Sequence, residues 1–257
     1  MVCGTTGEAS TLSYNEHLNA ISFCCEQVNG RVPVIAGSGS NDTEHAVKQS
    51  KKCCKIGVDG LLVVTPYYNK TSQEGLIKHY FKIADAANAP IILYNVPSRT
   101  GMNILPTTYK RLAEHENIVA TKEASGNVTQ IAKIFELCGE NLLVYSGNDD
   151  QILPILSLGG QGVISVASNI IPNEISKICK SYFEKDTELS AKLQIKYMSL
   201  IDALFCEVNP MPIKYALNVM GYNVGDCRLP LTTLTKDSQR LILKELKQHH
   251  LIGDDAV

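Results

Sequence analysis

The chain alternates between short apolar runs and helix-like segments, with a period of roughly 25 to 30 residues, the size of a βα unit. Apolar runs bounded by loop residues are typical of the buried strands of a parallel sheet. We predict strands at Val32–Ala36, Gly60–Thr65, Ile91–Asn95, Ile118–Lys122, Leu142–Ser146 and Gly162–Val166. Because short connections between alternating elements favour right-handed crossovers, we expect an α/β fold with a parallel sheet.

Helix-like segments separate these runs and replace them after Val166. The first begins with a capping box, Ser13 followed by Glu16. Other helices are predicted to begin near Asn41, Ser72, Pro106, Asn127 and Asp149, and later ones to span Pro172–Glu184, Glu188–Phe205, Pro210–Met220 and Lys236–Gln248. We therefore expect a barrel region over residues 1–168, and a last barrel helix with a C-terminal helical region over residues 169–257.

A length of 257 residues suits one TIM (β/α)8 barrel, which typically needs about 250. A doubly wound open sheet is the alternative, but Gly37-Ser38-Gly39-Ser40, the nearest match to a dinucleotide fingerprint, lacks the third glycine. Six runs are complete, Val2–Gly4 resembles the end of a seventh, and a barrel of this class needs eight strands. The expectation is a barrel that begins inside its second strand, without the first strand and helix, and that carries a C-terminal helical extension.

Composition limits the compartment and the partners. The net charge of −2 gives no electrostatic reason to expect nucleic acid or an anionic membrane. Nine cysteines, without a Cys-x-x-Cys or a histidine at metal-ligand spacing, are interpreted as reduced structural thiols. No apolar run reaches the length of a membrane span, and no basic and apolar leader opens the chain. We expect a cytoplasmic protein without a metal site.

The residue most indicative of chemistry is Lys122, at the end of one predicted strand, while Tyr94 lies near the end of the preceding one. A lysine enclosed at such a position loses solvation, which lowers its pKa and lets it attack a ketone to form a Schiff base. The alternative is a lysine that only caps its strand and pairs with Glu123, since lysine is usually exposed.

Seven motifs in order extend this pattern. They are Gly4-Thr5-Thr6-Gly7-Glu8, Thr65-Pro66-Tyr67-Tyr68-Asn69, Tyr94-Asn95-Val96-Pro97-Ser98-Arg99-Thr100-Gly101, Lys122-Glu123-Ala124-Ser125-Gly126-Asn127, Gly147-Asn148-Asp149, Gly162-Val163-Ile164-Ser165-Val166 and Asn209-Pro210-Met211-Pro212-Ile213-Lys214. Together they resemble the dihydrodipicolinate synthase family, over essentially the whole chain. This family belongs to the pyruvate-dependent class I aldolases, which include N-acetylneuraminate lyase.

The resemblance implies a lyase that condenses pyruvate with aspartate semialdehyde in lysine and diaminopimelate biosynthesis. Lys122 would carry the covalent pyruvate Schiff base, without any other cofactor. Tyr94, Thr5 and Tyr68 would relay protons between the site and solvent, because a tyrosine hydroxyl titrates near pH 10 and needs a path for exchange. In the family the third member of this relay comes from a neighbouring subunit, so a homotetramer built as a dimer of dimers is implied.

Four further residues would bind substrate. Thr6, in a glycine-flanked turn, suits the pyruvate carboxylate, and Arg99 would grip aspartate semialdehyde through its planar guanidinium. Gly147 and Ile164 would line the pyruvate end. Each has a plainer interpretation: an ordinary turn for Thr6, a surface loop residue for Arg99, and core packing for Gly147 and Ile164.

Many family members are inhibited by lysine at the dimer seam, where this chain keeps Ser10, His17, Gly39, Asn41 and Tyr67. It has His45 where lysine-sensitive members carry an acidic residue, and Tyr14 where many carry histidine. Because a histidine cannot replace that carboxylate, we expect lysine to inhibit weakly or not at all.

Two alternatives to the condensing enzyme stay open. One is another pyruvate aldolase that cleaves sialic acid or a keto-deoxy sugar acid, against which Arg99 argues. The other is a non-catalytic or impaired truncated barrel, supported by the strand count.

Overall fold

The protein is represented by a computed structural model that describes residues 1–253 and Asp255. It divides into two compact units. The first unit contains Met1–Gly4, Leu12–Asn148 and Pro154–Ile164. The second contains Thr5–Thr11, Asp149–Leu153 and the chain from Ser165 onward.

The first unit is built on a six-stranded parallel sheet whose strands follow their order in the sequence. The sequential order confirms the parallel α/β prediction, and it excludes a doubly wound sheet, in which the strand order reverses. Val2 adds one parallel bridge, to Ala36. The strands are β1 (Ile35–Gly37), β2 (Gly60–Val64), β3 (Ile91–Asn95), β4 (Ile118–Glu123), β5 (Leu143–Ser146) and β6 (Gly162–Val163).

Four helices of the first unit begin at side chains that cap them. Ser13 and Glu16 form the predicted capping box, and Asp42, Ser72 and Asn127 each accept a hydrogen bond from the backbone N–H three residues later. The helices are α1 (Tyr14–Val28), α2 (Thr43–Ile56), α3 (Gln73–Ala86), α4 (Pro97–Thr100), α5 (Pro106–Leu112) and α6 (Val128–Cys138). Helix α7 (Ile152–Ser157) has residues in both units.

Two predicted strands are wrong at one end. Val32 lies outside β1 because it is 60% exposed and the next residue, Pro33, has no N–H to donate. At the other end of the sheet, β6 stops at Val163. The N–H of Val166 donates to the Asp149 carboxylate at 2.9 Å, so Val166 does not extend the strand.

The second unit is helical after Ser165. Its helices are α8 (Pro172–Phe183), α9 (Thr187–Lys196), α10 (Met198–Ala203), α11 (Met211–Val219) and α12 (Lys236–Gln248). The predicted single helix Glu188–Phe205 is wrong, because Tyr197 has φ −97° and ψ 4°, outside helical geometry, and divides it into α9 and α10. The ring of Tyr197 packs 5.1 Å from that of His249. Among the described residues, no helix has the length and apolar character needed to cross a membrane.

Candidate active site

Lys122 and Tyr94 lie side by side at the carboxyl ends of two neighbouring strands. They are partners in the register of β3 and β4, and the Lys122 Nζ lies 4.5 Å from the centre of the Tyr94 ring. Both are buried, with 7% of Lys122 and 6% of Tyr94 exposed. An ammonium so close to an aromatic face is attracted by the ring quadrupole. The structure therefore brings together the two residues that the sequence singled out first.

The space beside Lys122 depends on Gly147. A Cβ at this position would lie 2.6 Å from the Ala124 Cβ, too close to be accommodated without a shift, and 3.1 Å from the Lys122 Cε, a tight contact. The Gly147 N–H donates to the Glu123 carbonyl at 2.8 Å, which holds the loop after β5 against the end of β4. Gly147 therefore leaves room for the lysine side chain.

Ile164 lies at the apolar edge of the same face. Its N–H donates to the Ser146 carbonyl at 2.8 Å, and its side chain packs against a buried cluster that contains Tyr94. Both residues that were predicted to line the pyruvate end thus lie in the same unit as Tyr94 and Lys122.

Arg99 lies in the short helix α4, which follows β3 directly. Pro97 occupies the first turn of α4, where backbone N–H groups have no partner within the helix, so the missing N–H of proline costs no hydrogen bond. Gly101 ends the helix with φ 66°. The hydroxyl of Thr65, the residue directly after β2, donates to that of Thr100 at 3.1 Å, which anchors the helix. Arg99 is exposed at the surface.

Tyr68 has a different environment from Tyr94. It is 91% exposed and has φ 70°, in the left-handed region that a tyrosine seldom adopts. Its neighbour Tyr67 is 37% exposed. The loop is held at Asn69, whose Nδ2 donates to the Asn41 carbonyl at 2.9 Å.

Thr5 and Thr6 belong to the second unit, in a turn closed by a hydrogen bond from the Glu8 N–H to the Thr5 carbonyl at 3.0 Å. Asn209 donates through Nδ2 to the Thr6 hydroxyl at 3.1 Å. Glu8 forms a 2.7 Å ion pair with Lys214, and both side chains are mostly buried. Hydrogen bonding to Lys214, aided by the Arg228 N–H, lowers the pKa of Glu8 against the opposing effect of burial.

Asn209 and Lys214 were not predicted as partners of the turn. For this segment the sequence predicted only a helix at Pro210–Met220, and α11 confirms a helix there. Only the fold shows that its polar side chains also hold the turn of Thr5 and Thr6.

Of the predicted effector residues, His17, Asn41, His45 and Tyr67 lie in the first unit and Ser10 in the second. The His17 Nε2 lies 2.8 Å from the Gly37 carbonyl and 2.9 Å from the Gln49 Nε2. The other end of the Gln49 amide lies 3.0 Å from the His45 Nε2. Burial lowers the pKa of His17, which keeps it neutral. His45 is thus linked through Gln49 to His17, and its imidazole stands where lysine-sensitive family members are expected to carry a carboxylate.

The buried cysteines are poor candidates for a nucleophile. All nine cysteines have free thiols, and burial raises the pKa of Cys3 to about 11 and of Cys53 to about 12. Such thiols are poor nucleophiles at neutral pH. Within the described part of the chain, no group of three or more His, Cys, Asp or Glu side chains could hold a metal ion.

This fold and this pair define a class of proteins, the parallel α/β proteins with a buried lysine at the carboxyl end of a strand. Comparison with known proteins identifies the family within that class. The model of the dihydrodipicolinate synthetase family matches residues 1–249. The chain belongs to this family, as its motifs predicted.

Comparisons with individual proteins agree with this family assignment. The chain is 57% identical to the 4-hydroxy-tetrahydrodipicolinate synthase of Caldicellulosiruptor bescii over 96% of its own length and 83% of the relative's. It is 54% identical to the enzyme of the same name from Clostridium perfringens, over 98% and 87%. A crystal structure of the Acinetobacter baumannii dihydrodipicolinate synthase in complex with pyruvate superposes with a TM-score of 0.95 at 43% identity, over 98% of this chain and 87% of that one.

Proposed function

We propose that this chain is a lyase that condenses pyruvate with aspartate 4-semialdehyde to give 4-hydroxy-tetrahydrodipicolinate. The observation that carries the proposal is the buried pair of Lys122 and Tyr94 at neighbouring strand ends, in a chain of this family. The crystal structure of the Acinetobacter baumannii relative with pyruvate supports the choice of the first substrate.

The reaction begins at the Lys122 Nζ, which attacks the ketone carbon of pyruvate and forms a Schiff base with loss of water. The protonated imine withdraws electrons, so the pyruvate methyl group loses a proton and an enamine forms. The enamine carbon attacks the aldehyde of the second substrate. The amino group of that substrate then displaces the lysine and closes the ring, which releases Lys122 as a free amine. No cofactor other than this covalent bond is needed.

Tyr94 exchanges protons with the reacting oxygen and nitrogen atoms, and Thr5 and Tyr68 complete its path to solvent. Thr6 binds the pyruvate carboxylate, while Gly147 and Ile164 enclose the pyruvate end. The hydrogen bond from Asn209 to the Thr6 hydroxyl supports this role, because it fixes the hydroxyl oxygen and leaves its O–H to donate. Arg99 binds the carboxylate of aspartate semialdehyde, and its exposed position on a short anchored helix supports this assignment.

The assembly proposed is a homotetramer in which Tyr68 completes the site of the neighbouring subunit. A tyrosine that is 91% exposed and lies at a positive φ gains little packing within its own chain, which supports a contact outside it. The architecture proposed is the (β/α)8 barrel, supported by the sequential order of the six parallel strands. The cytoplasm is the proposed compartment, supported by nine free thiols.

Borohydride trapping tests this function. Wild-type protein is incubated with pyruvate and sodium borohydride, and the reduced adduct is located by intact mass and peptide mapping. We expect a single adduct on Lys122, no adduct in Lys122→Gln, and a normal adduct in Lys133→Gln, a matched surface lysine paired with Glu136.

Turnover is then measured with aspartate semialdehyde, N-acetylneuraminate and keto-deoxy sugar acids. Turnover of aspartate semialdehyde alone supports the proposal, and cleavage of a sugar acid would favour the alternative aldolase. A soluble, folded chain that forms no adduct would contradict both enzymes.

A further inference from the structure

The residues that follow Tyr94 and Lys122 form a second pair behind the first. Asn95 and Glu123 are partners in the register of β3 and β4, one step beyond Tyr94 and Lys122. Because side chains alternate along a strand, this pair projects from the opposite face of the sheet. Both residues have no exposed surface. A fully buried carboxyl group therefore lies directly after the proposed Schiff-base lysine.

The Glu123 carboxyl group accepts hydrogen bonds from three residues. The Asn95 Nδ2 lies 3.0 Å from one carboxyl oxygen and 3.2 Å from the other. The Tyr109 hydroxyl, on α5, donates at 2.6 Å, and the Ser125 N–H donates at 2.9 Å. Burial raises the pKa of Glu123, and these donors act in the opposite direction. A carboxyl group so satisfied holds its neighbours in one arrangement, because any shift leaves a buried polar atom without a partner.

Asn95 extends the network along the other strand. Its Oδ1 accepts from the Ile104 N–H at 3.0 Å, and its Nδ2 also donates to the Asn103 Oδ1 at 2.8 Å. Asn103 in turn donates to Gln130, on α6, at 2.8 Å. The amide of Asn95 thus connects the end of β3 both to the end of β4 and to the segment that follows α4.

The register between β3 and β4 is irregular at their beginning. Ile91 pairs with Ile118, whereas Ile92 pairs with Ala120, so β4 has one extra residue there. Such a bulge moves every following residue by one position, and a change of one position would turn Lys122 to the other face of the sheet. Main-chain pairing at the start of the strands therefore does not suffice to set the position of Lys122 opposite Tyr94.

We propose that Glu123 is a positioning residue for the reaction, and that its hydrogen bonds with Asn95 fix the strand register that keeps Lys122 beside Tyr94. The inference rests on the proposed function, since it assumes that this pair performs the chemistry. Neither Glu123 nor Asn95 contacts substrate in this scheme. They act through the backbone of the residues that precede them.

Glu123→Met and Glu123→Gln form the matched test. Methionine fills a similar volume without hydrogen bonds, whereas glutamine keeps an oxygen for Asn95 and Ser125 and offers its amide to the Tyr109 oxygen. We expect Glu123→Met to lower kcat for condensation by about 100-fold, the effect of misplacing a reactive group by about 1 Å, with the KM for pyruvate changed less than about 3-fold. Glu123→Gln is expected to keep kcat within about 5-fold of wild type.

Two further variants keep the test decisive. Tyr109→Phe removes one hydrogen bond from the carboxyl group but leaves its link to Asn95, so kcat should stay within about 5-fold of wild type. Asn95→Ala removes the link from the other strand and should reproduce the loss of kcat, which matters if Glu123→Met does not fold. All rates are normalised to folded protein measured by circular dichroism.

The outcomes separate the two proposals. If wild-type protein forms no adduct on Lys122, the proposed function fails. If wild type forms the adduct and folded Glu123→Met and Asn95→Ala keep wild-type kcat, the positioning role is wrong while the function stands. A loss in Tyr109→Phe equal to that in Glu123→Met would also overturn the role of the Asn95 link.

Discussion

Lys122 and Tyr94 face each other across strands β3 and β4, with the lysine nitrogen 4.5 Å from the centre of the tyrosine ring. One side chain offers a nucleophilic nitrogen and the other a hydroxyl group, and both are largely shielded from water. This arrangement allows the two roles to be tested separately, because the ring and the hydroxyl group of Tyr94 can be varied independently.

Tyr94→Phe should separate the formation of the Schiff base from turnover. The variant keeps the ring beside Lys122 and loses only the hydroxyl group proposed to move protons. We expect borohydride to trap pyruvate on Lys122 still, while kcat falls by about 10² to 10⁴, the usual contribution of a proton-transfer group. Steady-state kinetics and adduct mass measure the two effects. Tyr222→Phe, at a tyrosine that is 65% exposed, is the control, and a Tyr94→Phe enzyme with unchanged kcat would remove Tyr94 from the mechanism.

Arg99→Lys should impair one substrate only. Lysine keeps the charge but loses the planar fork that matches a carboxylate, so the KM for aspartate semialdehyde should rise by about 10-fold or more. Trapping of pyruvate should be unchanged. Arg111→Lys, at an exposed arginine 3.8 Å from Glu114, is the matched control. An equal loss for pyruvate would contradict the assignment.

His45→Glu should create sensitivity to lysine. In the wild type, His45 lies in a hydrogen-bonded row with Gln49 and His17, and no carboxylate stands at this position to bind an ammonium group. We expect the wild type to keep more than half of its uninhibited activity at about 1 mM lysine, a concentration at the upper end of typical KM values. The variant should be inhibited more strongly, with kcat unchanged in the absence of lysine. Inhibition curves test both statements, and half-inhibition of the wild type below this concentration would disprove the first.

His79 should make the protein less stable in mild acid. Burial lowers its pKa to about 4, and its Nδ1 pairs with the Thr43 hydroxyl at 2.9 Å. Between pH 6.5 and 4 the unfolded chain binds the proton more readily than the folded chain, so stability decreases as the pH falls through this window, by up to about 3 kcal/mol. His79→Asn keeps an acceptor for Thr43 without a titrating group. Urea unfolding across this window should show a shallower pH dependence for the variant; an identical slope would show that His79 does not contribute.

Lys214→Met should destabilise the second unit and weaken pyruvate binding. The variant leaves the mostly buried Glu8 carboxylate without its Lys214 partner. We expect the free energy of unfolding to fall by about 2 to 3 kcal/mol, slightly less than the loss on breaking a fully buried ion pair. Because Glu8 belongs to the turn of Thr5 and Thr6, the KM for pyruvate should also rise. Thermal unfolding and kinetics measure the two effects. Lys192→Met breaks a highly exposed pair with Glu188 and should cost no more than about 0.5 kcal/mol.

The sequence predicted the elements and residues whose signals are local. The strand Ile91–Asn95, the capping box at Ser13 and the helix Lys236–Gln248 were located correctly, because each depends on neighbouring residues alone. The positions of Tyr94 and Lys122 followed from the strand ends. The predicted strand at Val32 began too early. Val32 is apolar, but an apolar side chain does not by itself provide the backbone hydrogen bonds that join a residue to a sheet.

Other features needed the folded chain. No local pattern pairs Asn209 with Thr6 or Lys214 with Glu8, since each pair joins distant segments. The bulge at the start of β4 adds a residue within a run that is apolar throughout, so the sequence pattern does not reveal it. Glu123 was considered only as an ion-pair partner of Lys122. Its bonds to Asn95 and Tyr109 depend on which face of the sheet each residue occupies.

The turn of Thr5 and Thr6 has a consequence for the order in which a growing chain acquires its parts. Asn95 and Glu123 are separated by 28 residues, so the strand ends beside them can meet as soon as one βαβ unit has emerged from the ribosome. The contacts of Thr6 with Asn209 and of Glu8 with Lys214 span 203 and 206 residues. The turn near the amino terminus must therefore wait for almost the whole chain to be synthesised before its final hydrogen bonds can form.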